Sequence, residues 1–105
     1  MTKAKISRNR FLALAAKDSG IDVEVLSKSF EAIENRLYKD LASGKRVTLT
    51  GFGAFYLQKH KGHPVQFEDN SKMPDYVLMK FSTADVMNRR FRKDYEDGKV
   101  IIPKE

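Results

Sequence analysis

Three runs of the 105-residue chain carry basic side chains with little or no acid among them. Residues 1–17 hold Lys3, Lys5, Arg8, Arg10 and Lys17 and no carboxylate, a net charge of +5. Residues 45–64 hold Lys45, Arg46, Lys59 and Lys61, again without an acid, together with both histidines, His60 and His63. Residues 80–93 set Lys80, Arg89, Arg90, Arg92 and Lys93 against Asp85 alone. The stretches between and beyond are acidic, −3 over residues 18–44 and −2 over both 65–79 and 94–105. The overall charge of +6 and the pI near 9.6 therefore come from blocks. Basic blocks that folding gathers onto one side make a face that attracts a polyanion from a distance. The chemistry open to such a face is phosphate neutralisation with release of counterions. The plainer reading is a set of cations that only solvate the surface, and the block pattern favours nucleic acid over it.

Other chemistries find little support. The chain has no cysteine, which removes a disulfide framework, thiol catalysis and cysteine-ligated zinc. His60 and His63 stand three apart on an extended or turn segment, but no cysteine or fixed carboxylate completes a metal site, so no metal is expected. No nucleophile–base pair, phosphate-binding loop or pair of carboxylates is placed by spacing in a pocket. An enzyme is not expected, and no cofactor or small-molecule substrate is implied. Near the start, a basic stretch followed by Phe11-Leu12-Ala13-Leu14-Ala15-Ala16 has the look of a signal peptide. Its six apolar residues fall short of the usual 7–15. No apolar run approaches the roughly 18 residues of a membrane span. The expectation is a soluble, cytoplasmic protein.

The elements that must position these cations can be read from period and breakers. Ser7 is a good N-cap, Phe11, Leu12, Ala15 and Ala16 mark one face of a first helix, and Ser19-Gly20 ends it. Asp22 caps a second helix, with Glu24 favourable in its first turn. Leu26, Phe30, Ile33, Leu37 and Leu41 form its apolar stripe, and Gly44 closes it. The period then changes to two. Val47 to Thr50 alternates as a half-buried strand, Gly51-Phe52-Gly53 makes the turn, and Phe55 and Leu57 resume alternation with Tyr56 and Gln58 opposite. A polar stretch from Lys59 to Asp75, broken by Gly62, Pro64 and Pro74, is long for a compact loop and reads as a projecting segment. Tyr76 to Phe81 reads as a returning strand. Ser82 or Thr83 then caps a third helix from about Ala84 to Lys93, with Val86, Met87, Arg90 and Phe91 on its inner face. Val100-Ile101-Ile102 in the tail either adds an edge strand or is loose.

The fold class expected is α+β. Two N-terminal helices precede a three-stranded antiparallel sheet with a projecting β-arm, and a short C-terminal helix follows. All 105 residues form one domain, with a helical body over about 7–44, sheet and arm over about 45–81, and C-terminal helix and tail over about 82–105. A chain of this size has a thin core of its own. The helix stripe and the aromatic strand face point to an intertwined dimer, with Phe30, Ile33, Leu37, Phe52, Phe55 and Phe81 in its core.

This order of elements resembles the bacterial HU/IHF family of architectural DNA-binding proteins. The run from Gly44 through Gly51-Phe52-Gly53 to Phe55 is similar to that family's G-x-x-V-x-L-x-G-F-G-x-F signature. Lys61-Gly62-His63-Pro64 resembles a shortened form of its K-G-R-N-P arm tip. The resemblance implies a dimer, homodimeric or heterodimeric, whose two arms enter the minor groove of double-stranded DNA and bend it. Pro64 is then the counterpart of the wedge between base pairs, and the bend brings more phosphate to the basic body. Lys59, His60, Lys61 and His63 follow the groove and Gly62 admits the backbone. Arg46 and Arg8 match positions of the family's DNA face, and Lys80, Arg89 and Arg90 complete the candidate DNA contacts.

The chain departs from the pattern in two places. Its arm is shorter, with Val65-Gln66-Phe67 after the proline. The lysines that open the family's third helix are replaced by Ser82, Asp85 and Asn88, with Arg89, Arg90, Arg92 and Lys93 supplying charge a turn later. It reads as a divergent member, of the kind a phage or mobile element encodes. The function implied is largely sequence-tolerant, nucleoid-associated DNA binding. The alternative is a protein-interaction or scaffold module that keeps the fold and has lost bending.

Overall fold

The computed structural model describes residues 4–62 and 74–103. In chain order these form helices α1 (Arg8–Ser19) and α2 (Val23–Ala42), strands β1 (Val47–Leu49), β2 (Gly53–His60) and β3 (Tyr76–Thr83), and helix α3 (Asp85–Glu96). The arrangement is α+β, as the periodicity predicts.

Helix ends fall where local chemistry puts them. The Ser7 hydroxyl accepts a hydrogen bond from the Arg10 N–H at 3.2 Å, satisfying one of the donors that a helix start leaves unpaired. Gly20 ends α1 at φ 77°, a left-handed conformation that costs glycine little. The Asp22 carboxylate accepts from the Glu24 N–H at 2.8 Å and so caps α2. The third helix departs from expectation. Ser82 and Thr83 belong to β3, and the Ala84 carbonyl accepts the first bonds of α3, from Met87 at 3.1 Å and Asn88 at 3.2 Å. Strand pairing has claimed the two hydroxyl residues that the sequence offers as caps, and the helix runs on to Glu96.

The sheet is antiparallel in the order β1-β2-β3. Its hairpin turn closes with a hydrogen bond from the Phe52 N–H to the Leu49 carbonyl at 2.9 Å. The register pairs Leu49 with Gly53 and Gly53 with Thr83 on the central strand's two sides. Gly53 differs from the turn glycine that the sequence suggests. It is buried in the strand, and a Cβ placed there would lie 2.5 Å from the Phe81 ring. The tail residues 99–103 join no strand.

Packing gathers the chain into two compact units, one of Met1–Tyr38 with Phe91–Glu105 and one of Lys39–Arg90. In the first, Leu12 on α1 is buried at 4% exposure. Phe11 and Ile33, both expected on inner faces, are 59% exposed in the single chain. In the second, Leu41 and Ala54 are the buried hydrophobic residues among those described. The Phe55 and Phe81 rings meet at 4.8 Å and the Phe52 and Phe81 rings at 5.2 Å, forming an aromatic cluster. Alternation places Leu57, Val77 and Met79 on the same side of the sheet as Phe55 and Phe81, and all three are exposed.

Candidate nucleic-acid interface

The pleat sorts the candidate contacts before any other force acts on them. Successive strand residues point to opposite faces, and residues paired across an antiparallel ladder share a face. Phe55 pairs with Phe81, Leu57 with Met79 and Lys59 with Val77, which makes one face apolar except for Lys59. Tyr56 pairs with Lys80, Gln58 with Leu78 and His60 with Tyr76, which makes the other face polar and aromatic. Strands β1, β2 and β3 contain no aspartate or glutamate. The cations of the polar face therefore have no acid on their own strands.

Arg46, one residue before β1, joins this face through its guanidinium. The carbon Cζ lies 4.8 Å from the centroid of the Tyr56 ring, within reach of the ring's negative face. Lys80 stands opposite the same tyrosine. His60 stacks on Tyr76, with centroids 5.3 Å apart and planes 10° from parallel. Its Nε2 is buried without a hydrogen-bond partner. Beside Arg46 lies a shallow depression of about 260 Å³ whose lining residues include Thr48, Thr50, Ser82, Thr83 and Asp85. Threonine and serine hydroxyls donate to phosphate oxygens. One face of the sheet thus brings together Arg46, Lys80 and His60 from three places in the sequence.

Lys59 falls on the other side. Its Nζ lies 3.4 Å from Asp75 Oδ2, and Asp75 Oδ1 accepts a hydrogen bond from the Gly62 N–H at 2.8 Å. Asp75 thereby ties the end of the outgoing strand to the start of the incoming one. Lys61 follows His60 and is exposed. His63 and Pro64, with Val65-Gln66-Phe67, lie outside the described residues. Arg89 and Arg90 are exposed on α3.

Arg8 belongs to the helical unit and is bound tightly there. Its guanidinium forms a two-pronged pair with Glu34, both contacts 2.8 Å, and Cζ lies 4.9 Å from the Phe30 ring centroid. The hydrogen bond to Glu34 raises its already high pKa, desolvation opposes this, and the charges of Glu34 and Glu31 add to it. Arg8 is cationic wherever the protein folds, yet its donors are engaged within the chain.

Sequence reading does not single out Tyr56, Tyr76 or Asp75. The alternation that puts Tyr56 opposite Phe55 and Leu57 is visible in the sequence, but the partners of all three residues depend on register. Among the described residues no group of three or more acids or histidines is placed to hold a metal ion. None of their helices is long and apolar enough to cross a membrane.

Comparison with known proteins bears on the family and the fold. The family model for bacterial DNA-binding proteins matches residues 1–92. A cocrystal structure of Anabaena HU with DNA superposes with a TM-score of 0.69 at 20% identity, over 82% of this chain and 97% of that one. A Bacteroides vulgatus protein, provisionally named as bacterial DNA-binding, superposes with a TM-score of 0.64 at 18% identity. The matched part covers 89% of this chain and 39% of that longer one. At these identities the likenesses establish the HU-like fold. No curated protein sequence matches the chain.

Proposed function

We infer function from the premise that this chain belongs to the bacterial DNA-binding protein family. It acts as an architectural, non-enzymatic protein that binds double-stranded DNA with little regard to sequence, in the nucleoid of the cytoplasm. The observation that carries this reading is the sheet face, its strands free of acid, on which the Arg46 guanidinium lies over Tyr56 and Lys80 is that tyrosine's ladder partner. Phosphate contacts from such a face carry no sequence information, which suits a sequence-tolerant binder. The functional unit is a homodimer and the chain a single domain within it. Exposed Ile33 and the open apolar side of the sheet give the second copy its surface. Lys59, His60, Lys61 and Gly62 begin an arm that reaches the minor groove. His63 and Pro64 continue it by resemblance to the family, with Pro64 as the wedge that favours a bend. Arg89 and Arg90 add phosphate contacts to those of the sheet, and Arg8, whose guanidinium is paired with Glu34, contributes positive charge to the helical unit.

Affinity then comes mainly from counterion release. With about six phosphates contacted per dimer, log K should fall against log salt with a slope near −5. Titrating a labelled duplex at several salt concentrations measures this, and sedimentation of the same sample should find twice the chain mass. No binding at low salt overturns the assignment, and a strictly monomeric species overturns the dimer. Energy transfer between duplex ends, read for wild type and Pro64→Ala, reports the bend.

A further inference from the structure

We propose that Tyr56 is a positioning residue, whose ring seats the Arg46 guanidinium over the polar sheet face so that its N–H donors meet a DNA phosphate. The proposal rests on the DNA-binding reading above and adds to it the device that orients one contact.

Two arginines that lie over aromatic rings, Arg8 and Arg46, make the case by contrast. Arg8 lies over Phe30 and also spends two guanidinium nitrogens on the carboxylate of Glu34. Arg46 lies over Tyr56; the strands around it carry no carboxylate, and Asp85, at the start of α3, is the acid that shares its depression. A ring face attracts the cation through its quadrupole and uses none of the five N–H donors. The charge is thus held while the hydrogen-bonding edge stays available. A carboxylate partner would hold the charge and consume that edge.

The seat itself is well fixed. Tyr56 lies within β2, the central strand of the sheet, and pairs with Lys80 on β3. Arg46, by contrast, precedes β1 and sits outside the ladder. Its long side chain would otherwise sample many rotamers, each given up when a phosphate is gripped. Ordering one such side chain on binding weakens affinity by roughly two- to twelve-fold, which pre-seating avoids. Lys80, the ladder partner of Tyr56 on β3, adds a second cation to the same sheet face, so charges from separate blocks of the sequence meet there.

A double-mutant cycle on the full chain tests this, with duplex titration as the readout and thermal melting to confirm folding. Tyr56→Leu should weaken binding about five-fold while leaving the salt slope unchanged, because the charge remains. Arg46→Ala should weaken binding and make the slope shallower by about 0.9 for each phosphate it no longer neutralises. In the Arg46→Ala background, Tyr56→Leu should have no further effect, and Tyr56→Phe should bind within about two-fold of wild type. Equal losses from Tyr56→Leu in both backgrounds would overturn the proposal, since the tyrosine would then act through the strand or by its own contact. If Tyr56→Leu fails to fold, Arg46→Lys makes the same test without touching the strand. It should lose about five-fold at constant slope, and wild-type affinity would overturn the seat. A wild-type protein that ignores duplex at low salt rejects DNA binding itself, an outcome separate from tight wild-type binding with an indifferent Tyr56→Leu.

Discussion

Gly53→Ala should lower the thermal midpoint by about 12–24 °C, more than alanine at any other glycine described. The cause is close approach, since Gly53 lies outside the set of positive-φ glycines. A Cβ at Gly53 would lie 2.5 Å from the Ser82 carbonyl oxygen, and 2.5 and 2.7 Å from two atoms of the Phe81 ring. The ring could turn aside only by leaving Phe52 and Phe55, which pack on it at 5.2 and 4.8 Å. The carbonyl cannot move without parting β2 from β3, where Gly53 pairs with Thr83 and Ala54 with Ser82. Overpacking typically costs about 1–3 kcal/mol, and an immovable backbone atom puts this site at the upper end, about 3 kcal/mol. In a domain of this size each kcal/mol shifts the midpoint by about 4–8 °C. Gly51 provides the contrast. Its φ of 86° penalises a side chain by about 1–2 kcal/mol, but nothing lies within 4 Å of its Cβ. Melting curves of the two variants should place Gly53→Ala well below Gly51→Ala. The reverse order would show that Gly53 is a turn glycine after all.

Much of this architecture is legible in the sequence because it is encoded locally. Ser7, Gly20 and Asp22 mark helix ends through contacts spanning two to four residues, and the change of period after Gly44 announces the sheet. What cannot be read there are pairings made across long separations. Lys59, His60 and Lys61 read as one basic run along the arm. The pleat splits them, and Asp75, sixteen residues after Lys59, decides where that lysine sits. Arg8 reads as a free cation at the start of a helix, yet Glu34, twenty-six residues on, takes its donors. The start of α3 is misread for the same reason: Ser82 and Thr83 have good capping chemistry, but their pairing with Ala54 and Gly53 extends the strand through them. The role of Gly53 needs the position of Phe81, which no local pattern supplies.

The legible charge blocks and the illegible register meet at Arg46 and Lys80, where the largest effect on binding is expected. Replacing both with alanine should weaken duplex binding by roughly a hundred- to a thousand-fold near 0.1 M salt and flatten the salt slope from about −5 to about −2. A dimer loses four cations by this double change, two from each copy. Each contacted phosphate contributes about 0.9 to the slope, so removing four of about six leaves little dependence. Folding should survive. Arg46 is exposed, Lys80 is half-buried on the polar face, and the aromatic cluster of Phe52, Phe55 and Phe81 involves neither. Arg89→Ala with Arg90→Ala removes the same number of charges from α3 and serves as the comparison. If long-range attraction by net charge were the whole of binding, the two double variants would be equal. If the sheet face is the contact surface, the Arg46 and Lys80 pair should cost at least ten-fold more, and its slope should flatten further. Equal losses with equal slopes would move the interface away from the sheet and leave only the overall charge of +6 as the source of affinity.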